Sequence, residues 1–267
     1  MRRRAPLVTA LVVSAFSAAA GQADRASRFM DNCNRNRNDY AQFCETREFT
    51  LPVSKSLSVD GRENGGVTVH GWDRSEVRVL AMVQTQGETE ADASAIAKNV
   101  AVTTSAGSIG ATGPERNNRH ESWSVSYEIW APGHTDLTLV AMNGGISVDN
   151  VDSQMDLETM NGGLTLTDID GNVRGTTMNG GVTVNLSGER WRGTGLDLRT
   201  TNGGVHLNVP SNYSAMLEAG TVNGGLDLGF PITVQGTLGR RLTTQLGAGG
   251  ATIRATTTNG GVSVRRR

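Results

Sequence analysis

The four histidines of this 267-residue chain are the first candidates for acid–base chemistry or metal binding. Histidine titrates close to neutral pH, and metal sites commonly use two histidines that lie close together in the sequence. Here the spacing is neither HxxH nor HxH, and the chain also has no GxSxG or GxxxxGK[ST] motif. We therefore expect separate surface or loop histidines that hold no metal ion or cofactor. They are His70, His120, His134 and His206.

Several aspartates could supply chemistry of another kind. A pair of carboxylates on neighbouring strands can cleave a glycosidic bond. Clustered oxygens can also bind calcium, and Asp-Ile-Asp-Gly-Asn at 168–172 is the candidate for such a site. This segment does not have glycine and a distal glutamate at the positions that an EF-hand loop requires, so a solvated turn is favoured. The residues available for a carboxylate pair are Asp149, Asp152, Asp156 and Asp168, most of them near predicted turns.

The two cysteines, Cys33 and Cys44, flank a polar stretch near the start of the chain. An even number of cysteines in an oxidising compartment favours a disulfide bond. A catalytic thiol is a weaker interpretation, because the nearest histidine, His70, follows Cys44 by 26 residues. Metal binding by two cysteines without further ligands is weaker still.

Seven copies of the tripeptide Asn-Gly-Gly indicate how the chain is built. Each opens a short run of alternating apolar and polar residues. Internal repetition at about 20 residues is typical of a solenoid, in which each unit stacks on its neighbours. Glycine and asparagine tolerate positive φ, so each copy is predicted to be a sharp corner between two strands. The corner asparagines are Asn64, Asn143, Asn161, Asn179, Asn202, Asn223 and Asn259.

Alignment of the repeats on these asparagines predicts two strands in each unit. Apolar residues lie six residues before the asparagine and three and five after it, with polar residues between them. A period of two places alternate side chains on one side of a sheet. The sequence therefore predicts an all-β fold, a parallel β-solenoid (β-helix) with coils of about 18–23 residues and a ladder of asparagine amides. A meander of hairpins is the alternative, because Asn-Gly also favours hairpin turns.

The gaps between corners become irregular toward the end of the chain. The two gaps after Asn143 are 18 residues each, whereas the next three are 23, 21 and 36. Loop-forming insertions at 187–193 and 209–213 explain the first two of these. Because 36 is twice 18, a coil near residues 230–245 is predicted to have lost its signature.

The residues five positions before each corner asparagine test the stacking. If successive coils pair in parallel register, Asp156, Arg174 and Asp197 lie side by side with alternating charge, about 5 Å apart at Cβ. Hairpins would separate them. In chain order the column is Asp156, Arg174, Asp197, Glu218 and Arg254.

The N-terminal half is organised differently. Residues 1–23 combine Arg-Arg-Arg with a short apolar core and read as a secretory signal peptide, and residues 24–45 carry the disulfide-bearing cysteine pair. Residues 46–134 are predicted to form a β-rich cap with one helix at 88–101, where alanines follow acidic residues. The repeat solenoid is predicted for residues 135–267.

These features together resemble a known family. The Asn-Gly-Gly-Val-Thr-Val-His-Gly-Trp-Asp segment at 64–73, Tyr-Glu-Ile-Trp-Ala-Pro at 127–132 and the later repeats are similar to the bacterial "putative adhesin" repeat family of unknown function. The resemblance covers residues 46–267. It implies a secreted or envelope-associated β-solenoid, and it carries no established binding residues.

Composition narrows the choice of partners. A formal net charge of −1 gives no basic field for nucleic acid or an anionic membrane, and no segment is long and apolar enough for a transmembrane span. Aromatic residues make up only 4% of the chain, although Trp72, Trp123 and Trp130 could cluster. We expect an exported, non-catalytic module (periplasmic, outer-envelope or extracellular) that binds a surface, a glycan or a protein. The alternative is a polysaccharide lyase or hydrolase on a β-helix scaffold.

Overall fold

The computed structural model describes residues 25–33, 40–105, 107–115, 119–230 and 239–267. Within these ranges the chain forms two short helices and two ten-stranded sheets. The predicted signal peptide lies outside the described residues. Among the described helices, neither has the length and apolar character that crossing a membrane requires.

The elements are numbered in chain order. The helices are α1 (25–33) and α2 (Glu90–Asn99). The first nine strands are β1 (Ala41–Leu51), β2 (Ser56–Asp60), β3 (Val67–Trp72), β4 (Val77–Gly87), β5 (Ala101–Ser105), β6 (Ser108–Thr112), β7 (Ser122–Pro132), β8 (Asp136–Ala141) and β9 (Ile146–Asp149). The others are β10 (Asp152–Thr159), β11 (Leu164–Thr167), β12 (Asp170–Asn179), β13 (Val182–Asn185), β14 (Gly195–Asn202), β15 (Val205–Val209), β16 (Ala215–Asn223), β17 (Leu226–Leu228), β18 (Arg241–Leu246), β19 (Thr252–Asn259) and β20 (Val262–Arg266).

The two sheets face each other, and each coil of the chain contributes one strand to each. Sheet A has the order β1-β4-β7-β3-β9-β11-β13-β15-β20-β17, and sheet B has the order β18-β16-β19-β14-β12-β10-β8-β2-β6-β5. Pairing is parallel throughout the repeats, as in β10 with β12 and β11 with β13. The prediction of a mostly β fold with long parallel sheets is therefore confirmed, and the hairpin alternative is wrong for the repeats.

The core lies between the two sheets and follows from the alternation in the sequence. In one coil, Met155 and Leu157 of sheet B and Leu164 and Leu166 of sheet A are at most 1% exposed. The residues between them face outward, because successive side chains of a strand point to opposite faces. Parallel register brings each coil's apolar residues onto those of the next, so that Leu164 pairs with Val182.

The order of the coils along the stack differs from their order in the chain at the C-terminal end. Residues 252–266 (the C-terminal inserted coil) lie between the coil of β14 and β15 and the coil of β16 and β17. The prediction of a coil near 230–245 that has lost its signature is wrong for the described residues of that range. Residues 241–246 instead form β18, which pairs antiparallel with β16, and residues 231–238 lie outside the described residues. The 36-residue gap contains this antiparallel edge strand and the chain's return into the stack.

The same displacement occurs near the N-terminal end. Residues 56–72 (the N-terminal inserted coil) lie between the coil of β6 and β7 and the coil of β8 and β9. The parallel stack therefore extends into the segment predicted as a cap. Antiparallel pairing in that segment is restricted to β1 with β4, β4 with β7 and β5 with β6.

The two helices lie in the N-terminal half. Helix α2 begins after Thr89, whose side chain accepts a hydrogen bond from the backbone N–H of Asp92 in a capping box. Helix α1 is a second helix, which the sequence pattern does not predict. A disulfide between Cys33 and Cys44 joins α1 to β1, with 6.4 Å between the Cα atoms.

Candidate functional site

A column of asparagine side chains runs along the corners of the stack. Each amide donates from Nδ2 to Oδ1 of the asparagine in the adjacent coil, at 2.7–3.1 Å. All the donors point toward Asn64, so Asn64 accepts a hydrogen bond from Asn143 and its own amide nitrogen is the donor end of the ladder. The stack order is Asn64, Asn143, Asn161, Asn179, Asn202, Asn259 and Asn223.

Threonines fix the corners from inside the stack. Thr177 is 1% exposed, and its Oγ1 donates to the carbonyl oxygen of Gly162 in the adjacent coil at 2.7 Å. This bond satisfies both a buried hydroxyl and a corner carbonyl, which explains a polar residue at an inward position. The equivalent bonds, each 2.8 Å, are made by Thr159, Thr200, Thr221 and Thr257.

The first glycine of each corner is required for close approach. A Cβ on Gly162 would lie 2.1 Å from the carbonyl oxygen of Gly144, and one on Gly180 would lie 2.0 Å from that of Gly162. The predicted reason, positive φ, is wrong for most corners, because Gly260 is the only corner glycine with such a conformation. The repeat thus selects glycine because the neighbouring backbone leaves no space for a side chain.

The coil of β6 and β7, which lies next to the coil of Asn64, has no Asn-Gly-Gly corner. There β6 and β7 are joined by residues 113–121, of which 116–118 lie outside the described residues, instead of an Asn-Gly-Gly turn. The longer connection leaves a cleft of about 500 Å³ beside the Asn64 corner. We call it the ladder-end cleft. Its principal lining residues are Arg62, Glu63, Asn64, Glu115, Trp123 and Tyr127.

Tyr127 gives the ladder-end cleft its most unusual property. Its side chain is 1% exposed, and its hydroxyl is the only buried polar side-chain atom of the described residues that has no hydrogen-bond partner. Burial raises the pKa of Tyr127, and the negative charge of Asp60 raises it further. The positive charge of Arg62 acts in the opposite direction but is outweighed. The hydroxyl therefore stays protonated at neutral pH and can donate. A buried hydroxyl without a partner costs about 1–3 kcal/mol.

Trp123 lies apart from the other two tryptophans of the N-terminal half, whereas Trp72 and Trp130 share one face of sheet A, since Trp130 pairs with His70, two residues before Trp72. Trp123 lines the ladder-end cleft. Trp72 lies at the end of β3 beneath the guanidinium of Arg74, with 4.8 Å from its carbon to the ring centroid, and the Trp130 ring is 5.4 Å from that of His70. Trp123 is thus the single tryptophan that lines the cleft among the described residues.

His70 forms a second cluster, on the outer face of sheet A. Its Nδ1 lies 2.5 Å from Asp149 Oδ1, and its Nε2 lies 2.9 Å from Oε1 of Glu128, whose side chain is 4% exposed. Burial lowers the pKa of His70, but the hydrogen bonds and charges of Asp149 and Glu128 outweigh it and raise the pKa to about 9. His70 is therefore a cation at neutral pH that links three neighbouring strands. The expectation of an isolated surface histidine is wrong here, because its partners are 58 and 79 residues away in the sequence.

The other histidines lie apart from one another. Nδ1 of His134 is 3.0 Å from the carbonyl oxygen of Asp152, and the His120 ring stacks on Tyr40 with centroids 4.5 Å apart. His206 faces outward from sheet A. None of the three adjoins the ladder-end cleft.

The four aspartates considered for a carboxylate pair are not brought together. Asp149 is bonded to His70, Asp156 pairs in register with Arg174, and Asp168 lies 3.9 Å from Arg267. Each of these three aspartates thus has a cationic neighbour.

Asp152 lies opposite Asp170 in the parallel register. Arg192 stands between them, with its Nη2 atom 2.8 Å from Asp170 and 3.8 Å from Asp152. This arginine also occupies one carboxylate of the 168–172 segment considered for calcium. Within the described residues no group of three or more His, Cys, Asp or Glu side chains is placed to hold a metal ion.

Sequence reasoning missed the ladder-end cleft. The signal in the sequence is the absence of an Asn-Gly-Gly corner between β6 and β7. That signal becomes informative only when the N-terminal inserted coil is known to stack against β6 and β7.

Three solved structures are similar to this chain over most of its length. A "putative cell adhesion protein" from Clostridium sporogenes is 11% identical, with 84% of this chain and 100% of that one covered and a TM-score of 0.45. A "putative adhesin" from Bacteroides fragilis is 11% identical, covering 84% and 97%, with a TM-score of 0.42. A "putative lipid binding protein" from Parabacteroides distasonis is 10% identical, covering 86% and 99%, with a TM-score of 0.33. No curated protein matches the chain.

A family model matches most of the chain. The family is described as Toastrack DUF4097, and the match covers residues 45–265. This range includes both inserted coils and the ladder-end cleft. The resemblance seen in the sequence is confirmed at this level, with structural neighbours that are labelled putative adhesins. The chain belongs to the Toastrack DUF4097 family.

Proposed function

We propose that this protein is an exported, non-catalytic binding module that attaches to a surface through the ladder-end cleft. The observation that carries the proposal is the cleft of about 500 Å³ itself, which is lined by the partly buried Trp123 and by Asn64, the donor end of the asparagine ladder. A concave site with a few convergent polar groups is the usual form of a binding pocket.

The architecture supports a binding role through rigidity. The cleft is bounded by β6, β7 and the Asn64 corner, which belong to the hydrogen-bonded stack, and by residues 113–115 of the connection between β6 and β7. A site on rigid elements loses little conformational entropy when it binds. Export agrees with the predicted signal peptide and with the disulfide between Cys33 and Cys44, because such bonds persist in oxidising compartments.

The non-catalytic part of the proposal is supported by the surroundings of the acidic residues. Asp152 and Asp170 flank Arg192, and Asp149 is engaged by His70. A general acid and a nucleophile of a glycosidase must instead reach the substrate. Release of reducing ends from acidic or neutral polysaccharides, lost in an Asp149→Asn variant, would replace the proposal with the lyase or hydrolase alternative.

The test measures binding of the labelled mature protein to bacterial envelope preparations and to intact cells. Trp123→Ala should weaken binding about tenfold or more, as expected for an aromatic anchor in a pocket. Trp72→Ala is the matched control, because Trp72 lies against Arg74 and away from the cleft. Equal loss in both variants, or none in either, would contradict the role of the cleft.

A further inference from the structure

We infer that one edge of the stack binds Cu(I) through the thioether sulfurs of Met142, Met160 and Met178, which we call the methionine column. Each methionine immediately precedes a corner asparagine, and the three lie on consecutive coils. None of them lines the ladder-end cleft. The inference therefore concerns a second surface and does not depend on the proposed binding function.

The methionine column is exposed, although methionine is among the residues most often buried in proteins. The exposed fractions of Met142, Met160 and Met178 are 43%, 42% and 49%, compared with 1% for Met155 in the core. The thioethers are thus accessible to a solute. The corresponding residues of the later coils contain no sulfur, being Thr201, Thr258 and Val222.

Parallel pairing places the three methionines side by side. The backbone N–H of Asn161 donates to the carbonyl oxygen of Met142 at 2.6 Å, and that of Asn179 donates to the carbonyl oxygen of Met160 at 2.7 Å. Adjacent strands are about 4.8 Å apart, so each methionine begins at about this distance from the next. A methionine side chain is unbranched and flexible, so thioethers of neighbouring coils can meet at one ion. Met160 has such a neighbour on each side.

The backbone that carries the methionine column is fixed on both sides of it. On one side, the corner asparagines are bonded amide to amide at 2.7 Å. On the other side, Thr159 and Thr177 donate to glycine carbonyl oxygens of the adjacent coil. The spacing of the methionines is therefore set before an ion arrives, and only their side chains lose freedom on binding.

Thioether sulfur is a soft and uncharged ligand, and this chemistry selects Cu(I). Calcium and magnesium prefer oxygen ligands, whereas zinc is bound by thiolates, imidazoles and carboxylates. Thioethers suit Cu(I). The chain's two cysteines are joined in a disulfide, so its methionines are the only soft sulfur ligands that remain. Such a site needs no thiolate, which an oxidising compartment converts to a disulfide.

A carboxylate beside the methionine column favours a cation. Glu158 is exposed and lies two residues before Met160, on the same outward face of the strand. Its direct neighbours on the adjacent strands, Val140 and Thr176, carry no charge. A monovalent cation therefore meets a negative charge close to the central methionine.

The first test measures the affinity of the mature protein for Cu(I) without oxygen, in competition with the chromogenic chelator bicinchoninate. The Met160→Leu variant should bind Cu(I) about tenfold or more weakly, because loss of a direct ligand should cost at least as much as loss of a residue that supports one. Leucine conserves volume and apolar character, so the fold and any apolar contact surface are kept. Met216→Leu is the matched control, since Met216 is a partly exposed methionine of β16 outside the column. It should bind Cu(I) as the native protein does.

Two results of this titration would overturn the inference. One is that the native protein does not bind Cu(I). The other is that the native protein and the Met160→Leu variant bind it equally tightly, which would assign the ion to other ligands.

The second test locates the ion by NMR of protein labelled at the methionine methyl groups. Addition of Cu(I), or of Ag(I) as a redox-stable substitute, should shift the signals of Met142, Met160 and Met178. The signal of the buried Met155 should stay in place. Zn(II) should leave all four signals unchanged. Shifts confined to methionines outside the column, or equal shifts with Zn(II), would refute the inference.

Discussion

The two inserted coils are held by the same arrangement of charges on opposite sheets. The N-terminal inserted coil carries His70, which lies between Glu128 on one neighbouring coil and Asp149 on the other. The C-terminal inserted coil carries Arg254, whose Nε is 2.7 Å from Glu218 and whose Nη1 is 3.5 Å from Asp197. In both places where stack order departs from chain order, a cation of the inserted coil bridges carboxylates of the coils beside it.

We call the contacts of His70 with Glu128 and Asp149 the N-terminal bridge, and those of Arg254 with Asp197 and Glu218 the C-terminal bridge. The charge column on sheet B shows the effect of the C-terminal bridge. In chain order its last three members read Asp197, Glu218 and Arg254, which would place two carboxylates on adjacent strands. In the observed stack Arg254 separates Asp197 from Glu218, so that the signs alternate along the whole column of five residues. Like charges directly opposite each other are unfavourable. The column therefore opposes a stack built in chain order.

The two bridges differ in burial and chemistry. The His70 side chain is 19% exposed and titratable, whereas Arg254 is 41% exposed and stays charged at any physiological pH. Partly buried charge pairs are worth more and are screened less by salt than exposed ones. We therefore expect the N-terminal bridge to respond to pH and the C-terminal bridge to respond to salt.

The largest loss of stability is expected when a new side chain prevents either inserted coil from packing against its neighbours in the stack. Gly65→Ala and Gly260→Ala place a Cβ 1.9 Å and 2.1 Å from a neighbouring carbonyl oxygen. Each should lower the free energy of unfolding by roughly 3–5 kcal/mol, measured by urea denaturation. The controls Gly66→Ala and Gly261→Ala, with 3.3 Å contacts, should cost less than about 1 kcal/mol. Equal losses at both glycines of a corner would show that close stacking is not the cause.

The second effect is the pH dependence of the N-terminal bridge. Because the pKa of His70 is raised from 6.5 to about 9 in the folded protein, its contribution is complete below about pH 6.5 and is lost as the pH rises to about 9. The contribution at the lower pH should be about 1–3 kcal/mol after screening at this partly exposed site. Denaturation from pH 6 to 9 should show this decline in the native protein. The decline in stability between pH 6 and pH 9 should be absent in the His70→Asn variant and should remain in the His206→Asn variant.

A third effect compares the inserted coils through the asparagine ladder. Asn259 is bonded on both sides, donating to Asn202 and accepting from Asn223, whereas Asn64 is bonded only to Asn143. Asn259→Ala should therefore cost roughly 1 kcal/mol and Asn64→Ala about half of that. Thermal denaturation can rank the two. A larger loss for Asn64 would mean that the ladder continues past it.

The smallest effect is expected at the exposed C-terminal bridge. Arg254→Gln should lower the melting temperature slightly, and Arg254→Glu should lower it further by adding a third carboxylate between Asp197 and Glu218. Both shifts should shrink in about 1 M salt, where exposed charges are screened within about 3 Å. Arg174→Gln, in the same column between coils that follow in chain order, is the control. Shifts that are insensitive to salt would exclude an electrostatic bridge.

Local sequence determined the repeating part of this protein. The period of two around each corner fixed which side chains face the core, as in the coil from Met155 to Leu166. Parallel in-register pairing then made neighbours of Asp156, Arg174 and Asp197, as the charge column predicted. These features depend on residues within one coil and on coils that follow one another both in the chain and in the stack.

Tertiary structure alone decided the stack order, the reason for the glycines and the ladder-end cleft. The coils share one pattern of inward and outward residues, so local sequence does not choose which coil lies beside which. That choice rests on contacts such as Glu128 with His70 and Asp197 with Arg254, which join residues 57–58 positions apart. Likewise, the backbone that excludes a side chain at Gly162 belongs to another coil, and the cleft exists because one neighbour of Asn64 lacks a corner. Such features arise only when separate segments meet.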